Sequence, residues 1–373
     1  MKLFRTYFCE QQINKRVIYY INNHSPLRLY LSFSIIAFTI HFNCVAQIAG
    51  SSKMRSAQIN GSSITIDTGI YRDLKSSREN ELQVHFRDAV DLPNKKRIRL
   101  ITAVNVAGYG GSLIVLNQAW YANYPRSSFH FFNDDKEWLQ VDKIGHGWTA
   151  YNTGRISTAM WRWAGLPQKK AALIGGLSGT AYLTVIEILD GFSSQWGFSW
   201  GDMTANLFGS GLFISQELLW QEQRIQYKFS FHRNTYGDAL LDKRADDLFG
   251  NSWYERMLKD YNAQAYWLSA NLKSFFKEST LPAWLNVAVG YGADGMFGGF
   301  ENKWTDAQGN EIIRYDIPRK RQFYIAPDID FTKIKTNKKW LRTVFYFLNA
   351  FKCPAPALML DSKGKCKVYA IYF

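Results

Sequence analysis

The sequence predicts an α+β protein, with a helical part of about four helices followed by a strand-rich part. Three observations carry that expectation. Four apolar stretches of helix length succeed one another between residues 98 and 220, strict apolar–polar alternation begins at Ile225, and 16% of the 373 residues are aromatic. An apolar fraction of 47% is enough to bury a core. The 13 Trp, 21 Tyr and 26 Phe favour an envelope setting, since such rings concentrate at packed interfaces and membrane boundaries. The net charge of +14 is scattered among acids, and no basic arm, zinc spacing or nucleic-acid motif accompanies it. Nucleic acid is therefore excluded as a partner, and a membrane lipid or another envelope component is expected instead.

Residues 1–46 read as an export signal. Arg28 precedes the apolar run "LYLSFSIIAFTIHF", and "CVAQ" offers small residues suited to cleavage after Ala46. The expected location is exported, periplasmic or outer-membrane associated, with an uncleaved inner-membrane anchor as the alternative. Acylation of Cys44 would make the chain a lipoprotein, although "FNC" lacks the small residues such processing prefers. Residues 47–97 form a polar, Ser-rich lead-in with one alternating stretch, "SSITIDTGIY". Beyond it only Cys353 and Cys366 remain, free to pair across "PAPALMLDSKGK" or to stay as thiols.

The helical part spans 98–222 and contains the candidates "IRLITAVNVAGYGGSLIVLNQAWY", "DKIGHGWTAYNTGRISTAMWRWAG", "KKAALIGGLSGTAYLTVIEILDGF" and "GDMTANLFGSGLFISQELLW". Gly175 and Gly179, like Gly108 and Ser112, stand four apart, which lets helix backbones approach closely. Each helix has the length of a membrane span, whereas Asn105, Glu187 and Glu217 are costly in lipid. Membrane embedding and a soluble bundle are both open on sequence alone.

The strand-rich part spans 223–373. In "IQYKFSFH", Ile225, Tyr227, Phe229 and Phe231 share one face, leaving Gln226, Lys228, Ser230 and His232 on a face expected to be wet. Further strands are expected at "AYWLSANL", "LNVAVGYG", "RQFYIAPDIDF" and "CKVYAIYF", and an amphipathic helix at 337–352. Tyr369, Ile371 and Phe373 alternate to a terminal Phe, which resembles the last strand of bacterial outer-membrane barrels. About five strands fall short of a full barrel.

Chemistry is expected where three helices carry polar patches. Asp142 and His146 are four apart on the second helix, with Lys143 beside them and Tyr151 on a neighbouring face. Glu187 and Asp190 end the third, where the helix dipole disfavours carboxylates, so they require a cation such as Lys143, protonated His146, Arg155 or a metal ion. Asp202 and Asn206 open the fourth. Taken singly, Asp142 reads as an N-cap, Asp202 as the partner of Ser199 in a Ser-x-x-Asp cap, and His146 as a hydrogen-bonded core histidine. Taken together, they form the kind of convergence from which bundle-core sites are built. His146 and Glu187 would be the acid–base pair. No cofactor is expected from any motif, except that Asp142, His146, Glu187, Asp190 and Asp202 could hold a divalent metal.

The order "DKIGH", a Tyr, then "EILDGFSSQWGFSWGDMTANLFGSG" resembles the YfiM-type family of periplasmic lipoproteins, and more faintly the VanZ-like membrane proteins, over residues 139–215. The resemblance carries to Asp142, Lys143, His146, Glu187, Asp190, Gly197, Ser199, Asp202, Asn206 and Gly209, and it implies an envelope location without a reaction. The leading expectation is a non-enzymatic envelope component whose buried polar cluster locks the helices or binds a head group. An enzyme acting on an envelope lipid or glycan, and an outer-membrane barrel or assembly factor, are the alternatives.

Overall fold

The computed structural model describes residues 93–119, 125–306 and 308–373. The export signal, nearly all of the lead-in, Cys9 and Cys44 lie outside the described residues. The helical part comprises α1 (Lys95–Ala119), α2 (Val141–Trp163), α3 (Gln168–Gly191) and α4 (Trp200–Leu219). Each starts close to where the apolar periodicity starts. Pro167 immediately precedes α3, in keeping with its preset φ, and the Ser199 hydroxyl caps α4 by accepting from the Asp202 N–H at 3.1 Å. Asp142 is not an N-cap: α2 is entered through Trp138, Leu139 and Gln140, all left-handed, with φ of 46°, 49° and 66°. L-residues avoid that region. The β-part holds the segment there, through Tyr291 Oη donating to the Leu139 carbonyl, Arg321 to Gln140 Oε1, and the Trp138 N–H to the Gly299 carbonyl.

Helix α2 is packed between α3 and α4, and glycine sets the spacing. A Cβ on Gly209 would sit 2.0 Å from the Gly147 carbonyl oxygen, and one on Gly175 would sit 2.4 Å from the Thr158 backbone nitrogen. Helix α1 lies across α2 and α3: Ile101 packs with Met160 and Ala164, and Ser112 donates to Tyr182 Oη. Among the described residues α3 is the one helix long and apolar enough to cross a membrane. Gly175 and Gly179 face α2 and Gly176 faces α4, while Leu173, Ile174, Leu177, Val185 and Ile188 are exposed.

A six-stranded antiparallel sheet follows, in the order β1 (Ile225–Phe231), β2 (Gln264–Asn271), β3 (Leu285–Asp294), β6 (Lys320–Ile329), β7 (Ala355–Asp361) and β8 (Cys366–Tyr372). The helical-then-sheet α+β order expected from the sequence is thus observed. A separate hairpin pairs β4 (Lys303–Thr305) with β5 (Glu311–Ile313). Helices α5 (Ala239–Phe249) and α6 (Trp253–Lys259), both unanticipated, bridge β1 and β2. A four-residue turn, α7 (Leu272–Phe275), follows β2, and the amphipathic helix forms as α8 (Lys339–Leu348). The helices and the sheet share a core of Val141, Tyr151, Phe213, Tyr227, Phe229, Phe231 and Tyr266.

The sheet curls until Tyr372 of β8 stacks near Trp267 of β2, their ring centroids 5.9 Å apart. This corrects the wet face expected for β1. Gln226, Lys228 and Ser230 are buried inside the curl, where Lys228 Nζ meets Asp328 Oδ2 at 2.8 Å and the Ile329 carbonyl. Alternation reported two faces, but both are covered. Of the two cysteine alternatives left open by the sequence, the structure has the thiols: both are free. Cys366 lies opposite Leu360, seven residues beyond Cys353, so the strand holds the two thiols about 20 Å apart, far outside disulfide reach.

Candidate functional site

The polar patches of α2, α3 and α4 converge at the floor of a cavity of about 540 Å³. One ligand atom each from Asp142, His146 and Asp202 lies within 4.8 Å of the others. His146 Nδ1 is 3.2 Å from Asn206 Oδ1 and 3.8 Å from Glu187 Oε1. When Nδ1 carries the proton and donates to Asn206, Nε2 is left as the basic nitrogen. The i, i+4 spacing of Asp142 and His146 puts both on the α2 face toward the cavity, and Asn206, one turn beyond Asp202 on α4, is fully buried behind them.

Lys143 takes a different direction. Its Nζ is 2.8 Å from Asp134 Oδ1 and 3.4 Å from Asp202 Oδ1. Ser199 Oγ donates to Asp134 Oδ1 at 2.6 Å, and the Ser199 N–H donates to Glu187 Oε2 at 3.2 Å. This half of the cluster is a closed lock tying the entry of α2, the start of α4 and the end of α3. Glu187 belongs to both halves: one oxygen is held by the lock and the other faces His146. Its last-turn position is therefore answered by a backbone N–H and an imidazole, with no need of Arg155, which lies on the opposite side of α2.

The electrostatics leave several groups poised near neutrality. Burial pushes the Glu187 carboxyl up to about 8, with the nearby Asp202 and Asp190 charges adding to it against the pull of His146. Asp202 rises to about 7, again by burial first and then by Asp142, with His146 and Lys143 opposing. Burial alone would depress His146, but the surrounding Asp142, Asp202 and Glu187 charges outweigh it and raise the imidazole. Asp134 moves the other way: its burial is overcome by the Lys143 and Ser199 hydrogen bonds. Asp134, Glu137, Asp142, Glu187, Asp190 and Asp202 all reach the cavity, against His146 and Lys259, so the floor is an acidic field that favours a cationic or proton-donating group.

Of the residues expected in the cluster, Asp142, Lys143, His146, Glu187, Asp202 and Asn206 meet, and Asp190 lines the same cavity. Tyr151 does not. It lies nine residues after Asp142, about two and a half turns, and so faces away, where its hydroxyl donates to Gln223 Oε1 at 3.0 Å. Three participants went unrecognised in the sequence. Asp134 and Glu137 sit in "NDDKEW", an acidic run before the helix that was the available signal. Tyr261, whose hydroxyl donates to Asp142 Oδ1 at 2.6 Å, comes from after α6 and carries no local signature. The remaining walls are apolar and aromatic, including Phe132, Trp148, Tyr182, Trp196 and Phe351, the composition of a site for an amphipathic molecule.

Residues 130–216 match the family described as "Predicted periplasmic lipoprotein (DUF2279)". The match begins at the strand-like segment before the lock and ends within α4, so it encloses every cluster residue except Tyr261. No curated protein and no solved structure matches the chain. A periplasmic family description agrees with an exported, periplasmic or outer-membrane-associated location and with an envelope role not yet characterised.

Proposed function

We propose that the chain is an exported envelope enzyme that acts by proton transfer on an amphipathic envelope molecule, a lipid or a glycan. His146 and Glu187 exchange the proton, and Asp142 and Asp202 orient and charge-balance the imidazole. The observation that carries this reading is the position of the pair: His146 and Glu187 line a cavity of about 540 Å³ with aromatic walls. A network whose sole task was to lock helices would have each group paired within it, as in the Lys143–Asp134–Ser199 half, where Asp134 is met by both Lys143 and Ser199. The open half instead presents titrating groups to a space large enough for a ligand, which supports catalysis over a purely structural role. The likeness to YfiM-type and VanZ-like proteins supports the envelope substrate class.

The test is to incubate the purified protein separately with total envelope lipid and with peptidoglycan fragments, and to follow turnover by mass spectrometry. One class should be converted by the parent and by neither His146→Gln nor Glu187→Gln, although both fold. Conversion by both variants, or of neither class by the parent, rejects the reading. A second reading is favoured by the convergence of Asp142, His146 and Asp202 within 4.8 Å, a spacing suited to one divalent cation. Stoichiometric metal in protein purified without chelator, lost in Asp202→Asn, would establish it.

A further inference from the structure

Arg155 is nine residues beyond His146 on α2 and therefore on the opposite face. It is 7% exposed. Its Nη1 donates to the Tyr346 carbonyl at 2.9 Å, and the guanidinium lies 4.4 Å from the centroid of the Tyr346 ring. Its Nε and Nη2 are buried with no acceptor among the described residues. The ion pairs nearby go elsewhere: Glu222 to Lys333 at 2.7 Å, and Glu217 to Arg162 at 3.9 Å. A buried guanidinium with two idle donors and no direct ion pair among the described residues is costly, and an anion bound there offsets that cost, although Glu217 and Glu222 line the same cavity.

A second cavity, of about 270 Å³, is lined by Arg155 together with Arg162, Glu217, Gln226, Lys333 and Tyr346. Its walls also carry unmet acceptors. Gln226 Oε1 and Glu217 Oε2 are buried without a hydrogen bond among the described residues, the latter with Arg162 Nη1 3.9 Å away. A ligand that satisfies the walls must therefore accept from Arg155 and also donate a proton. Sulfate and fully ionised carboxylates accept only. A phosphate group, with a second ionisation near neutrality, does both.

We propose that this cavity binds a protonated phosphate group, either inorganic phosphate or the terminal phosphate of a small ester. Arg155 supplies the charge-assisted donors, and Glu217 Oε2 or Gln226 Oε1 accepts a hydrogen bond from the phosphate O–H, which keeps its proton. The site is separate from the His146 cavity and does not depend on the function proposed for it.

The experiment is titration calorimetry on the full chain at pH 6 with inorganic phosphate, glycerol 3-phosphate and sulfate, paired with thermal melts. Phosphate or the ester should bind, raise the melting temperature, and outcompete sulfate at least tenfold. Tighter binding of inorganic phosphate identifies the free anion as the ligand, and tighter binding of glycerol 3-phosphate identifies an ester. Arg155→Met removes a buried charge that makes no direct ion pair among the described residues, so it should fold while losing at least tenfold in affinity. Glu217→Gln should retain phosphate and lose the preference over sulfate. Absence of binding by both phosphates, equal binding of sulfate to the parent, or unchanged affinity in Arg155→Met would overturn the assignment.

Discussion

Replacing Glu187 by Gln should make the protein more stable at alkaline pH while abolishing its function. Glu187 is 2% exposed, and burial raises its carboxyl from 4.5 to about 8. A carboxyl raised in the folded state contributes fully below its unfolded value of about 4.5. That contribution is then lost as pH climbs through about 8, because the folded protein resists giving up the proton. At about 1.4 kcal/mol per pH unit, the interval corresponds to a ceiling of about 5 kcal/mol. Water entering the cavity and the coupling to His146 reduce it, so about 1–3 kcal/mol is the expected gain for Glu187→Gln at pH 9. Gln keeps an oxygen for the Ser199 N–H, so the packing is retained. His146, also raised, contributes in the same direction, since its stabilisation too fades as pH rises through its folded value. The assay is a set of thermal melts of parent and variant at pH 5, 7 and 9. The parent should lose stability across the series, the variant should lose less, and the curves should cross so that the variant is the more stable at pH 9. A variant destabilised equally at all three values would refute the reasoning and mark Glu187 as part of the lock alone.

Three further outcomes follow from the packing. Gly209→Ala forces a methyl to within 2.0 Å of the Gly147 carbonyl and should cost about 1–3 kcal/mol or more, read as a lowered denaturant midpoint. Lys228→Met takes the closest cation from Asp328 inside the curled sheet, leaving it Ser269, the Cys353 N–H and the more distant Lys352, and should cost about 3 kcal/mol, the low end for breaking a buried pair; adding Asp328→Asn should recover part of that loss in a double-mutant cycle. Alkylation without reductant should label exposed Cys366 fully, and peptide mapping should find no Cys353–Cys366 link.

What the sequence made legible was local. The i, i+4 pair Asp142–His146 and the Ser199-x-x-Asp202 cap are spacings within one helix or turn, and both appear as such. The capping box of α6, Ser252 with Glu255, is equally local, but no long apolar run stands behind it to mark a helix. Strand β7 was hidden because Pro354 and Pro356 flank its start and "PAPALMLD" reads as a turn. Faces were harder than elements. The alternation of β1 correctly separates Tyr227 and Phe229 from Gln226 and Lys228. The burial of the polar side follows only from the curl that brings Asp328 and Asp330 across from β6. Tyr151 is near Asp142 in sequence, but nine residues of helix turn it to the far face. Tyr261 joins Asp142 across 119 residues, a contact no local pattern encodes.

The central claim is that His146, Glu187 and Asp202 titrate as one unit at the floor of a ligand cavity, beside the Asp142 carboxylate. Its most direct measurement is the His146 pKa by NMR on protein with labelled imidazoles, in the parent, Glu187→Gln and Asp202→Asn. The account predicts a value above the ordinary 6.5 in the parent and a clear fall in each variant as a neighbouring carboxylate is removed. A parent value at or below 6.5, or one that neither substitution moves, would contradict it.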